Sequence, residues 1–520
     1  MNDDCKVDFS IPDAERFSGA LPVFEEKRTK ESSEDFILPD YLPDIKKIAA
    51  VFPEAVIKGR FSGGGTLEYD GEVHYKILYI AEDQSLKSAT FVTGFDDKIG
   101  SSALTVDCVD ILTPLSENVN IRLLNPRKVN IRSANGASVQ VFKRHSSLPQ
   151  LVGASVEESG RTLQCRVEEI DGVNVLDLRE NGLTLSEDLN FEAAMPSALD
   201  LLFGRVQPVV MDCRVSEGEA QVRGSAEIDC VLCTGRDENG REEWMPQHYS
   251  LVFSQTVKNE GLHEGGECFC ILSPEGSEFR LREDEFGQKR VIEFDMTYLC
   301  DLRVLYPKKL SVVTDAYSTE KETECDLSEK TFCSFLAPLK GSFSVNESVT
   351  LDLPEEGGYT VAQFFAFPEL HLSSERGKDG CALLEGSCAV HLILRDAAGA
   401  PDVRRTSIPL RFRAGKTAGE NASAQIASRV SGARMRLDKN ILSCDFEVGF
   451  FGQLLEKNEV TTMDELRVLP ERRQSAGRRG SVILYFPEKD EPLFSIAKRY
   501  GVPVSDLNAE DGGALFIPCR

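Results

Sequence analysis

No stretch of this chain offers the roughly 18 uninterrupted apolar residues that a membrane helix needs, so no α-helical span is expected. Cationic excess is missing too. The formal net charge of −26 argues against nucleic acid or an anionic bilayer as a direct partner. The six histidines (His74, His145, His248, His263, His371 and His391) fall in no metal or triad spacing. The fifteen cysteines are odd in number and lack framework spacing, which suits a reducing compartment better than a disulfide scaffold. Cys230-x-x-Cys233 with Cys268-x-Cys270 has the ligand count of a zinc site. Residues three apart on a strand point to opposite faces, however, so buried apolar thiols are the expectation. The opening Met1–Lys6 has neither a basic n-region nor an apolar h-region, and no secretory leader is expected. These absences together predict a non-enzymatic chain with no metal and no cofactor.

What is present is repetition. The run Gly71-Glu72-Val73-His74-Tyr75-Lys76-Ile77-Leu78-Tyr79-Ile80 returns as Gly224 to Cys233 and again as Gly386 to Arg395. Each copy opens on glycine, alternates, and ends in a solid apolar cluster. That pattern predicts a strand with one buried face that enters a core at its far end. Further on, past a polar turn, each copy meets a second strand centred on Phe95, Phe253 or Phe412. A period of about 150 residues is that of a domain rather than a solenoid repeat. The expected fold is mainly β: tandem sandwich-like or barrel-like repeat domains, with strand order left open.

In order, residues 1–30 read as a flexible lead-in and 31–145 as the first β domain. Within it, Pro43 and Asp44 suggest the first turn of a short amphipathic helix reaching Ile48. Ser62–Gly65 reads as a hairpin turn rather than a phosphate loop, since no Lys-Ser/Thr follows it. Residues 146–184 read as a connector, 185–318 as the second β domain and 319–456 as the third. Residues 457–480 read as a linker whose basic run Glu471–Gly480 makes it a solvated tether.

Residues 481–520 carry the most specific pattern. Val482–Phe486 reads as a short strand and Leu493–Tyr500 as a helix with apolar residues at i, i+3, i+4 and i+7. Gly501 is its expected C-cap, Val504–Asn508 begins a second helix, and Leu515–Pro518 closes as a strand. The Asp490 turn, Leu493, Ile496-Ala497, Tyr500-Gly501-Val502, Leu507-Asn508 and Leu515–Pro518 make this stretch resemble a LysM domain, a small α+β (βααβ) module. LysM modules bind N-acetylglucosamine polymers between the first strand–helix loop and the loop before the last strand. Here the usual Gly-Asp-Thr turn is Lys489-Asp490-Glu491-Pro492, and Asn508–Ala514 is short. Both departures fall on the glycan loops, which favours a protein ligand.

The repeats resemble SPOCS domains through the Ile37–Ile48 entry, the Gly71–Ile80 strand, Arg127-Lys128-Val129 and Asp315-Ala316-Tyr317-Ser318. Tandem SPOCS domains ahead of one LysM domain are similar to the SipL-type spore coat morphogenetic proteins of endospore-forming bacteria. The resemblance implies a non-enzymatic scaffold at the forespore surface, in the mother-cell cytoplasm. It also implies that the LysM module docks the coat-basement ATPase, stage IV sporulation protein A, among other coat proteins. The alternative is a peptidoglycan binder of the cell wall or cortex. For either ligand the expected binding residues are Lys489, Asp490, Glu491, Leu493, Phe494, Ile496, Tyr500, Leu507 and Asn508. Leu493, Ile496 and Tyr500 also fit a purely internal role.

Overall fold

Alternation governs the central strand of each repeat, and its breakdown explains the assembly. The computed structural model describes residues 18–102, 104–105, 108–146, 150–152, 162–238, 240–354, 358–376, 380–472, 482–488, 491–509 and 514–518. The first unit comprises β1 (Ser18–Ile37), β2 (Ile45–Gly63), β3 (Thr66–Ala81), β4 (Leu86–Gly100), β5 (Cys108–Asn125) and β6 (Lys128–Ser146). A short β7 (Gln150–Val152) follows. The second unit comprises β8 (Leu163–Asn190), β9 (Asp200–Ser216), β10 (Glu219–Arg236), β11 (Glu242–Lys258), β12 (Glu267–Glu283) and β13 (Lys289–Ser318). The third comprises β14 (Lys321–Thr350), β15 (Thr360–Arg376), β16 (Cys381–Arg395), β17 (Pro401–Thr417), β18 (Ala422–Asp438) and β19 (Ile441–Arg472).

The three units share one topology. Each pairs its first, sixth and fifth strands in one sheet and its second, third and fourth in another: β1-β6-β5 with β2-β3-β4, β8-β13-β12 with β9-β10-β11, and β14-β19-β18 with β15-β16-β17. These pairings are all antiparallel. An apolar core lies between the two sheets of each unit, with Ile77 and Tyr79 in the first, Cys230 and Leu232 in the second, and Leu392 and Leu394 in the third.

Glycine opens the central strand for a steric reason. A Cβ on Gly71 would lie 2.4 Å from the Val56 carbonyl oxygen and 2.5 Å from the Phe95 ring, and one on Gly224 would lie 2.6 Å from the Phe253 ring. Phe95 and Phe253 are the direct cross-strand partners of these glycines, so each ring crosses the gap that the missing side chain leaves. In the third unit Gly386 instead faces the Glu369 carbonyl, and Phe412 pairs with Leu384.

The solid apolar end of each run has a second cause. Its odd positions enter the unit's own core, while Leu78 and Ile80, Val231 and Cys233, and Ile393 point the other way, into one shared cluster. Three sheets, one from each unit, meet there. Phe52, Phe203 and Phe365 form a triad with ring centroids 5.3, 4.9 and 5.6 Å apart. A second three-way contact joins Ile111 and Phe142 to Val173, Val175 and Leu305 and to Cys333 and Leu455. Beside it, Gln140, Arg303 and Gln425, one from each unit, hydrogen-bond to one another. Ion pairs span each seam: Arg60 to Asp177 at 2.9 Å, Lys340 to Asp212 at 2.7 Å, and Lys457 to Glu25. The units therefore close on one another like a trimer made from a single chain.

Several expectations change. Where a helix from Pro43 to Ile48 is expected, Pro43 and Asp44 are loop and residues 45–48 start β2, and register shifts at Ile45/Lys47 and Ile48/Ala50 account for the difference. Each bulge inserts an extra residue, so a strand's buried positions fall at helix-like spacing. Pro39–Asp44 is a loop, held by Arg127, whose guanidinium donates to Asp44 at 2.8 Å and to the Leu38, Pro39 and Leu42 carbonyls. Much of the connector 146–184 belongs to β8, which starts at Leu163, while β7 adds in parallel to β19 of the third unit. The lead-in is strand from Ser18 onward, with residues 1–17 outside the described residues. The linker 457–480 is β19 as far as Arg472, because β14 pairs with it out to Lys321, and residues 473–480 lie outside the described residues.

The thiols of Cys230 and Cys233 lie on opposite faces of β10, one in the unit core and one in the three-way cluster. No helix among the described residues is long and apolar enough to cross a membrane.

Candidate functional site

The C-terminal stretch forms a small module of its own. It contains β20 (Val482–Tyr485), α1 (Leu493–Tyr500), β21 (Asn508–Ala509) and β22 (Leu515–Pro518), with sheet order β20-β22-β21. Helix α1 starts after Pro492 and stops at Gly501, whose φ of 67° is the left-handed conformation that glycine adopts most cheaply. The Val502 N–H then closes on the Ala497 carbonyl at 3.1 Å. The second helix expected from Val504 is a single 3-10 turn, Val504–Asp506, and Asn508 pairs with Phe516 as strand. The chain there pairs with β22 in place of another helical turn.

Of the nine residues expected to bind, Lys489 and Asp490 lie outside the described residues. Glu491 is used internally: it accepts from the Tyr485 hydroxyl at 2.9 Å and from Arg499 at 2.8 Å. Ile496 is fully buried in the module's core, and Leu507 packs against that core. Tyr500 meets Tyr485 edge to face at 5.7 Å. Asn508 contributes its backbone to β21. Leu493 is left facing solvent, 47% exposed.

Phe494 has a different fate. It packs edge to face on Tyr317 of β13, with centroids 5.2 Å apart. Tyr317 is fully buried, belongs to the module's core cluster, and donates its hydroxyl to the Val502 carbonyl at 2.7 Å. Two residues before it, Asp315 pairs with Lys498 of α1. The module is thus seated on the end of β13. The seat falls in the run Asp315–Ser318, which sequence reasoning singled out as a repeat landmark without assigning it a contact. No local signal marks it, because a tyrosine ending a strand reads the same whether its ring meets its own domain or another.

Several large apolar side chains stay exposed on the module. Val482, Leu484 and Phe486 are 52%, 53% and 67% exposed; alternation puts Val482 and Leu484 on one face of β20, an edge strand among the described residues, and Phe486 follows its end. With Leu493 they make four large apolar side chains on a small module, a pattern that marks interaction surfaces.

Elsewhere the histidines sort by partner. His74 lies 3.2 Å from Glu72, and burial pushes His391 down to about 4, so it is neutral at pH 7. His248 sits between Asp229 (3.0 Å) and Glu227 (3.2 Å), whose hydrogen bonds raise it to about 9. No family model, no curated protein and no solved structure matches this chain.

Proposed function

We propose that this chain is a non-enzymatic scaffold of spore coat assembly, of the SipL type, with three SPOCS-like units and a C-terminal LysM-like module. In this reading the module docks the coat-basement ATPase, stage IV sporulation protein A, in the mother-cell cytoplasm at the forespore surface. The resemblance of the repeats and of the module's landmark residues supplies the identity of the partner. The observation that carries the docking role is the exposed apolar set Val482, Leu484 and Phe486, on and just after β20, whose outer edge is unpaired among the described residues. Such an edge pairs with a partner strand through its backbone, while alternate side chains supply specificity. Tyr317 and Asp315 support the same reading, because they attach the module to β13 of the three-unit body.

The test uses the full chain, since the module's core includes Tyr317. Immobilised protein is offered purified ATPase in one arm and peptidoglycan sacculi in the other. The ATPase is expected to be retained by the native chain and lost by Leu484→Glu with Phe486→Glu. Retention on sacculi alone, undiminished by that pair of substitutions, would replace the proposal with the cell-wall reading.

A further inference from the structure

The seam between the second and third units holds a cleft of about 440 Å³. That is within the range of small-ligand sites, which favour junctions between domains. One wall is the outer face of β9-β10-β11, where Arg205, Asp229 and His248 stand in register across three strands, with Gln207 and Glu227 one step along. The other wall comes from β15 and β18, and both strands carry a register shift here, at Val361/Gln363 and Ser431/Arg434. Bulges of this kind open a ladder and re-aim side chains beside functional sites.

The charged groups are unequal. Arg205, Arg429, Arg434 and protonated His248 face two carboxylates, Glu227 and Asp229, so the cleft is cationic in a chain of net charge −26. Both carboxylates are engaged by His248, and Glu227 also accepts from Ser225 at 2.6 Å and Ser250 at 3.1 Å. Arg429 reaches Glu227 only at 3.7 Å, and Arg434 is exposed at the rim.

Arg205 is the informative group. It is 7% exposed and lies over the Phe52 and Phe367 rings at 5.0 and 4.9 Å. Its one hydrogen bond among the described residues runs to Gln207 at 3.0 Å, and Asp229 lies 3.5 Å from its Nε. A guanidinium has five N–H donors, so most of its hydrogen-bonding capacity is unspent on the cleft floor. Phe364 and Phe365 add an apolar side to the same space.

We infer that this cleft is a binding site for a small organic anion, with a carboxylate or phosphate head against Arg205 and Arg429 and an apolar body against Phe364 and Phe365. Guanidinium groups recognise both oxyanions through paired N–H donors. This site is independent of the C-terminal module, and its test leaves that module untouched.

The full chain is titrated by calorimetry with phenylacetate, with phenyl phosphate and with the uncharged phenylacetamide. Saturable binding of at least one anion, about tenfold or more tighter than the amide, is expected, and the better of the two identifies the head group. Arg429→Gln should weaken that binding about tenfold, with partial recovery in Arg429→Lys. Arg434→Gln, at the solvent-facing rim, gives a second reading should Arg429→Gln disturb the seam. Equal binding of anion and amide, absence of saturable binding, or anion binding unchanged in both variants would overturn the assignment.

Discussion

Replacing Tyr317 should loosen the C-terminal module while leaving the three-unit body intact. The module spans residues 482–518, and a chain of under about 40 residues seldom buries enough apolar surface to fold alone. Its core of Ile496, Ala497, Val502, Leu515 and Ile517 is completed by Tyr317, which is contributed by β13. Tyr317→Phe removes one buried hydrogen bond and leaves the Val502 carbonyl without its donor, at a cost of about 1–3 kcal/mol. Tyr317→Ala also empties the ring's volume and ends the edge-to-face contact with Phe494, which by analogy with other aromatic truncations costs about 3–5 kcal/mol. The Asp315–Lys498 pair is partly exposed and adds at most about 1 kcal/mol, so it does not compensate. Amide hydrogen exchange followed by mass spectrometry reads the effect directly. In Tyr317→Phe the peptides covering α1 and β22 should exchange about tenfold faster or more, and in Tyr317→Ala they should approach unprotected rates. Peptides from β3, β10 and β16 should be unchanged. Native protection of α1 in Tyr317→Ala would show that the module folds without its seat, and the reasoning would fail.

Three further outcomes follow from the body. Phe203→Ala, at the triad where the three units meet, should cost about 3–5 kcal/mol and lower the calorimetric melting temperature, and a shift under a degree would refute a tightly packed junction. Gly71→Ala should destabilise by about 1–3 kcal/mol or more, since the new methyl meets the Val56 carbonyl, a backbone group that does not yield; Phe95→Ala in the same background should relieve only the ring clash. His248 should titrate near 9 by imidazole NMR, held up by Asp229 first and Glu227 second. Because its folded value is raised, the stability it contributes is complete below the unfolded value near 6.5 and is lost as pH rises through 9. A midpoint below 7 would mean that the two carboxylates do not face the ring.

The repeats were legible because their physics is local. Gly71, Gly224 and Gly386 mark strands whose neighbours come too close for a Cβ, and the alternation after them sets the buried face of each sandwich. The apolar ends, Ile77–Ile80 and their counterparts, were readable as burial. Their division between two cores was not, because which face meets which partner depends on residues about 150 positions away. The same limit hid the cleft: Asp229 and His248 are cross-strand neighbours, but Arg429 arrives from another unit. Bulges misled in the opposite direction, giving Ile45–Ala50 the spacing of a helix. In the C-terminal module the helix and its glycine stop were plain in the sequence. The seat on Tyr317 was not, and it decides that Phe494 faces inward while Leu484 and Phe486 face out.

One polypeptide encodes all three sandwiches, so mutation at one joint need not be copied to the other two. Subunits of a homomeric ring lack this freedom, because every change in their gene appears at each interface. Here Arg205 stands opposite Asp229 at the position that Phe52 and Phe365 hold opposite Lys76 and His391 in the other two units, and one boundary carries a cleft of its own chemistry. Internal duplication has let this molecule keep a symmetric frame while becoming chemically lopsided.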